Sequence, residues 1–486
     1  MSITSEVADP APETAPLAPE TAPPAPRAAP AARRPSAFGA LLLRLHFYAG
    51  VLVAPFLLVA AVTGLLYTVT PQLDAVIYGD QLTAASAGGT AVPLADQIAA
   101  ARAAHPAGTL SAVQPGLGDA TTQVVFSQPE LGENQHTVYV DPATGRVQGT
   151  LTTWYGSTPV TTWLDDLHRN LHLGVAGRYY SELAASWLGV IALGGVVLWW
   201  RRSRGRRMFT PELSAKRGVR RTRSWHAATG LWLTVGLLIL SATGLTWSRY
   251  AGENFTAVLD SFDAHRPELA TSVAAEPAAG HHDATEGPGA AADPAAADTV
   301  WGVARQHGLT GPVELTVPEE AGSAWTVAGI DNTWPVGLDR IAVDPGTSTV
   351  VARSDFADWP VLAQLSKLGV QAHMGLLFGV VNQVLLAALA IGLICVIVWG
   401  YRMWWQRRPA RADRRAMAGA PPPRGAWQGL PSWAVVVGVP VVFAVGWALP
   451  LLGVPLAGFL LLDAIVGGLR ASRKPSDPDA RRAVRA

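Results

Sequence analysis

The chain has one cysteine, Cys395, among 486 residues. It therefore has no disulfide framework, no multi-cysteine metal site and no iron–sulfur chemistry open to it. Charge is sparse as well: Asp, Glu, Lys and Arg make up 15% of the residues, against 49% hydrophobic. A chain this long and this apolar is not one soluble domain, and the composition points to a bilayer. Neither a G-x-G-x-x-G following a strand nor a P-loop occurs in its basic stretches, which excludes a recognisable nucleotide site. Nothing in it calls for a nucleic-acid partner. Residues 1–36, an Ala/Pro/Glu tract (APETAPLAPETAPPAPRAAP), lack the layout of a signal peptide and are expected to form a disordered cytoplasmic tail.

What the chain does have is long apolar runs. Leu41–Val69, Leu183–Trp200, Ala227–Trp247 and Leu376–Trp399 carry few or no charges, and a helix of roughly 20 residues crosses a hydrocarbon core. Trp433–Leu469 is too long for one span and is broken by Pro440, Pro450 and Pro455, so it reads as a tight pair of short spans. Arg and Lys cluster at 33–36, 201–207, 217–223, 406–415 and 471–482, and such clusters stay in the cytoplasm. Residues 71–182 and 249–372 carry only scattered basic residues and face outward by the same rule.

The expected fold is an α-helical integral membrane protein with extracytoplasmic α+β insertions, multi-pass in a bacterial-type cytoplasmic membrane. Span 1 covers 37–70, an outer domain 71–182, span 2 183–200, a basic loop 201–225 and span 3 226–248. A second outer domain follows at 249–374, with a disordered insert at 268–297. Span 4 covers 375–400, a linker 401–431, a hairpin of spans 5 and 6 432–469, and a basic tail 470–486. Six spans leave both termini in the cytoplasm.

The chain repeats itself. HFYAGVLVAPFLLVAAVTGLL (46–66) lies over HAATGLWLTVGLLILSATGLT (226–246) without a gap, so that His46 and His226, Gly50 and Gly230, and the two Thr-Gly pairs coincide. Helical patterns at Leu94–His105 and Asp298–Gly308 each lead to strand-like stretches, and TVYVDPATGRV (137–147) matches DRIAVDPGTSTVV (339–351). Val-Asp-Pro opens a turn between β-branched strands in both. His172 in NLHLG and His373 in QAHMG each stand two residues before a glycine and shortly before a span. The chain is thus expected to be two tandem units related by a pseudo-two-fold axis, with the final hairpin appended.

Strongly polar side chains beside membrane helices are costly and face a partner or cofactor. Duplicated histidines supply two pairs, His46 with His226 at the cytoplasmic ends of their spans and His172 with His373 near the outer ends. A six-coordinate haem iron accepts two neutral imidazoles. Gly50 and Gly230, one helical turn beyond their histidines, would clear room for a flat macrocycle. The alternative is that these histidines bond backbone carbonyls and the glycines serve close helix packing. His168, on the face of His172, has no counterpart, since Gly369 aligns with it; it is a rival axial ligand, a residue at the substrate entrance or a plain surface residue. Asp165 and Asp166 could steady an imidazole or hold a metal, although helix N-terminal charge explains them as well. Trp154, Tyr155, Trp163, Tyr179 and Tyr180, with Trp325, Trp334 and Trp359, could line a site for a bulky chelate or simply anchor the fold.

The order of parts, the RLHFYAG start and Thr-Gly end of the first span, the V-D-P-x-T-G turn at 140–145 and the LHRNLHLG and WHAATG histidines together resemble the PepSY-associated transmembrane family. That group contains iron-regulated membrane proteins and ferric-siderophore reductases. The resemblance covers about 38–405 and implies a b-type haem membrane reductase. Two haems, a ferric chelate or siderophore as acceptor and a quinol or separate reductase as donor are then expected. A cofactor-free scaffold that binds an extracytoplasmic protein or peptidase, and a haem conduit for an acceptor other than iron, are the rival expectations.

Overall fold

The computed structural model describes residues 36–86, 88–202, 208–215, 217–273, 293–320, 322–408, 419–424 and 429–472. The N-terminal tail, the His281-His282 pair, most of the expected insert and much of the basic clusters lie outside the described residues.

The first apolar run, expected as one span, is two helices, α1 (Ala37–Leu52) and α2 (Ala54–Tyr67), bent by 56° at their junction. Pro55 is the cause. It has no N–H to give the Val51 carbonyl one turn back, and the Tyr401 hydroxyl donates to that oxygen instead, at 2.9 Å. Short helices α3 (Thr70–Ile77) and α4 (Gly79–Leu82) lead to α5 (Leu94–Ala104). Strands β1 (Thr109–Gln114), β2 (Thr122–Ser127), β3 (Asn134–Val140) and β4 (Val147–Trp154) follow, then α6 (Pro159–Asn170) and α7 (Gly174–Trp200).

The same order then recurs. Helix α8 (Val219–Thr246) is followed by α9 (Tyr250–Ser261), α10 (Ala296–Gln306) and strands β5 (Val313–Thr316), β6 (Trp325–Gly329), β7 (Arg340–Asp344) and β8 (Thr349–Ser354). Helices α11 (Val361–Met374) and α12 (Val380–Gln406) complete it, and α13 (Ser432–Ala448) and α14 (Pro450–Ser472) end the described chain. Helices α7, α8, α12 and α14 are long and apolar enough to cross a membrane, the bent α1–α2 pair passes the same test as a unit, and α13 is apolar but shorter, at 17 residues. The protein is a helical membrane protein.

The two loop segments do not make two separate modules, as the sequence had suggested. Their strands join in one antiparallel sheet of eight, in the order β4-β3-β2-β1-β5-β6-β7-β8. The halves meet where Ala112 pairs with Thr316 and Val113 with Leu315. Apart, β1 and β5 would each expose a row of unpaired backbone groups; joined, neither is an edge. Helices α5 and α10 cover one face, where Leu94, Ile98, Val300 and Ala304 pack with Val113, Phe126, Val138, Leu315, Trp325 and Ile341. The carboxylate of Asp298 on α10 accepts from the Leu94 and Ala95 N–H groups at 2.7 and 2.9 Å, capping the other half's helix. The Val-Asp-Pro turns lie where expected, each held by its aspartate accepting from the backbone two residues on, Asp141 from Ala143 and Asp344 from Gly346, both at 2.9 Å. The second face of the sheet is left toward the helices.

Candidate functional site: two facing histidine pairs and a cavity under the sheet

His46 on α1 and His226 on α8 face each other with ring centroids 6.4 Å apart. Each ring lies against a glycine of a neighbouring helix. A Cβ added at Gly195 on α7 would stand 3.2 Å from His46 Cε1, and one at Gly400 on α12 would stand 3.7 Å from His226 Cε1. The Nδ1 atom of His226 lies 2.9 Å from the Val396 carbonyl oxygen. A carbonyl can only accept, so Nδ1 carries the proton and Nε2 keeps its lone pair. His46 Nδ1 is buried without a hydrogen-bond partner.

A second pair sits toward the other end of the bundle. His168 on α6 and His373 on α11 have ring centroids 6.3 Å apart. The Thr63 hydroxyl donates to the Val59 carbonyl at 2.9 Å and accepts from His168 Nδ1 at 3.0 Å. Thr243 repeats the arrangement, donating to Ile239 and accepting from His373 Nδ1, both at 2.7 Å. A hydroxyl has one proton, and in both cases the helix carbonyl takes it, so the imidazole must be the donor. The adjacent glycines make room: a Cβ at Gly64 or Gly244 would lie 3.1 or 3.5 Å from the Cε1 of His168 or His373.

His172 does not take the place expected for it. It lies beyond the end of α6 at φ 55°, exposed, with its ring 4.9 Å from that of Trp163. Leu171 closes α6 in a left-handed conformation, so residue 172 no longer continues the helical face of His168. The counterpart of His373 is His168. The same offset of 205 positions relates Gly195 to Gly400 and Gly174 to Gly379, the last two sharing φ values of 55° and 57°. Matching the local H-x-G strings shifted the two halves by one turn, and Gly369 stands opposite Leu164 instead.

Gly50 and Gly230 are not close-packing glycines, since a Cβ at either would meet nothing within 4 Å. They leave open space one turn from His46 and His226. Two imidazoles bound trans to one metal, with bonds of about 2.0 Å and about 1.2 Å from nitrogen to ring centre, have centroids about 6.4 Å apart. Both pairs have that separation, and three of the four rings have Nε2 as the free base, so the residues present fit a bis-imidazole centre at either end. His226 and Thr243 are 17 positions apart on the unbroken α8, and at 1.5 Å per residue the two ends are separated by about 25 Å.

Above the His168–His373 pair a cavity of about 1870 Å³ opens between the helices and the second face of the sheet. Ser111, Gln114, Ser127 and Thr316 line it from the strands; Tyr67, Asp165, Gln371 and Met374 line it from the helices. Of the candidate aromatics, Trp154, Tyr155 and Trp359 border the cavity, while Trp325 is buried in the core on the opposite face of the sheet. Tyr179 stacks on Tyr250, Tyr180 lies against Phe56 and Trp334 against Phe378. Asp165 and Asp166 pair with Arg169 at 3.5 and 3.2 Å, not with an imidazole. Among the described residues no group of three or more His, Cys, Asp or Glu is placed to hold a metal ion.

Sequence reasoning missed Thr63, Thr243, Gly64, Gly244, Gly195 and Gly400. The Thr-Gly repeat is the one signal in the sequence that marks Thr63, Gly64, Thr243 and Gly244. A helical membrane bundle with paired histidines at both ends and a sheet-roofed cavity over one of them is the class of protein the structure defines. The family model described as PepSY-associated TM region matches residues 43–407, and the chain belongs to that family. No curated protein matches it.

Proposed function

We propose that the protein is a transmembrane di-haem b reductase that carries electrons from a quinol or a separate reductase to a ferric chelate outside a bacterial-type cytoplasmic membrane. The observation that carries this reading is the two facing imidazole pairs, His46 with His226 and His168 with His373, whose ring centroids lie 6.4 and 6.3 Å apart and which would hold one haem each. A b-type haem between two imidazoles is a one-electron carrier whose potential follows its ligands and surroundings. The chain's own residues do the rest. Thr63, Thr243 and the Val396 carbonyl hold the Nδ1 protons and so leave Nε2 as the basic nitrogen of each ring. Gly50 and Gly230 leave open the space one turn from His46 and His226, where a flat macrocycle would need it. The cavity, bordered by Met374 next to His373, seats the acceptor beside the sheet-side pair.

The basic clusters at 201–223 and 406–415 support placing the sheet outside, because the connections between α7 and α8 and after α12 leave the bundle at the end opposite the sheet. Each ferric ion takes up one electron, so a two-electron donor such as a quinol serves two. The lower charge of Fe(II) loosens hard oxygen ligands and frees the metal for uptake. The repeated order of elements and the matched Thr–His contacts support a tandem duplication.

The test is the absorption spectrum of detergent-purified protein, oxidised and reduced, with haem counted per chain. Two low-spin haems, lost stepwise in His46→Ala, His226→Ala, His168→Ala and His373→Ala, are expected. A colourless protein from haem-supplied cells would replace this reading with that of a cofactor-free scaffold for an extracytoplasmic partner.

A further inference from the structure

Four Lys and Arg side chains border the cavity: Arg102 on α5 and, on three further segments, Arg266 in the chain after α9, Arg340 on β7 and Lys367 on α11. Among the described residues none has a carboxylate partner. Arg340 donates only to the Pro267 carbonyl, at 3.3 Å, and its Nε is buried without a partner. The Arg266 guanidinium lies 5.9 Å from the centre of the Trp359 ring. Burial, and after it the positive charge of Arg266, lowers both the Arg340 and Lys367 pKa values. The repulsion of Arg266 with Arg340 and with Lys367 destabilises the protein as it stands. An anion placed among them would relieve both the repulsion and the unpaired donor.

We propose that these residues form an anion subsite and that the acceptor is a metal chelate of net negative charge, its carboxylate or phenolate oxygens held by Arg266, Arg340 and Lys367. This rests on the reductase reading and narrows it from ferric chelates in general to anionic ones. Lys367 and His373 are six positions apart on α11, about 9 Å of helix, so a ligand gripped at Lys367 lies within its own length of the sheet-side histidine pair. Known small-molecule sites enclose roughly 300–1,000 Å³. A cavity of about 1870 Å³ takes a bulky chelate together with its solvent. Ser111, Gln114 and Thr316 on the strand roof supply further hydrogen-bonding groups.

Gallium(III) complexes are the probe, because gallium is not reduced and binding is read without electron transfer. Calorimetric titration of the full-length, detergent-purified protein would compare gallium citrate with a neutral gallium trihydroxamate. The citrate complex is expected to bind at least about tenfold more tightly and to weaken as salt rises. Arg340→Gln and Lys367→Met should each lose about tenfold for the anionic probe and little for the neutral one. Equal affinity for both probes, no binding of either, or wild-type affinity in both variants would overturn the proposal. The salt titration needs no variant, so a misfolded mutant does not rescue it. Haem content is measured on the same samples, which separates failure of the anion subsite from failure of the reductase reading.

Discussion

His168 and His373 precede different spans, 205 positions apart in the chain, yet their ring centroids lie 6.3 Å apart and each gives its Nδ1 proton to a threonine of a neighbouring helix. His172 lies outside that arrangement with its ring on Trp163. His168→Ala and His373→Ala should therefore each remove the same haem, while His172→Ala keeps both. Haem per chain and the reduced absorption band are the measurement, and loss of haem in His172→Ala with retention in His168→Ala would reverse the pairing.

The threonines act through the imidazoles. Thr63→Val and Thr243→Val keep the shape of the side chain and remove the acceptor for Nδ1–H. Loss of such a partner typically weakens a metal site about 10–100-fold. Each variant is expected to release haem more readily to an apo-acceptor, and to shift the reduction potential of the sheet-side centre alone. Thr→Ser, which restores the hydroxyl, should recover the potential; a purely structural role would leave the potential unmoved in every variant.

Substitutions at Gly50 and Gly230 test whether the open space beside them belongs to a cofactor. A Cβ at either position meets nothing within 4 Å, so Gly50→Ala should fold normally, and removing a helical glycine stabilises by up to about 1 kcal/mol. Gly50→Leu and Gly230→Leu push into the open space one turn from His46 and His226. Both should still be purified as folded protein, but without the haem of that pair. Folded protein with full haem content in the leucine variants would mean that the space belongs to lipid.

How much of this could be read from the residues follows from which signals are local. Helix type, the Val-Asp-Pro turns and the His46–Gly50 and His226–Gly230 frames depend on neighbours a few positions away, and the sequence carries them. The joining of two loop domains through β1 and β5 does not show, because strand alternation states which face is buried and not which strand lies alongside. His168 was legible in principle. Gly174 and Gly379 mark the same backbone turn in both halves, and aligning on them puts His168 over His373. The H-x-G strings are closer matches letter by letter but oppose His172, beyond the end of α6, to His373, in the last turn of α11. The break at Pro55 was signalled too, since proline removes the N–H that Val51 needs.

Lys367 gives anion binding a pH dependence. Arg266 acts on it directly, Arg102, Arg340 and His265 line the same cavity, and Asp165, Glu314 and Glu319 are its acids, with Glu314 already accepting from Gln114 at 2.9 Å. Burial and then Arg266 hold the Lys367 pKa below the ordinary lysine value. The charged form grips an anion, so affinity is full below that lowered pKa and falls as pH rises through it. Gallium citrate affinity should therefore decline on the alkaline side earlier than an exposed lysine would allow, and the decline should vanish in Lys367→Met. A flat profile in the wild type would remove Lys367 from the subsite.

The C-terminal hairpin lies beyond residues 43–407, the part matched by the family, and one buried ion pair ties it to the first helix. Arg44, 2% exposed, meets Asp463, 4% exposed, at 2.7 Å. It also donates to the Pro422 carbonyl at 2.6 Å and lies over the Tyr48 ring at 4.9 Å. Arg44 stands two residues before His46, so the hairpin braces the segment that carries this histidine. Removing one partner of a buried pair costs about 3–5 kcal/mol, whereas replacing both by apolar residues is often neutral or stabilising. Asp463→Leu and Arg44→Met should each lower the unfolding midpoint in detergent and reduce haem at the His46–His226 pair, and the double variant should recover both. If the double variant unfolds as early as the singles, the pair is not what holds the hairpin; if it recovers stability but not haem, Arg44 itself serves the His46 site.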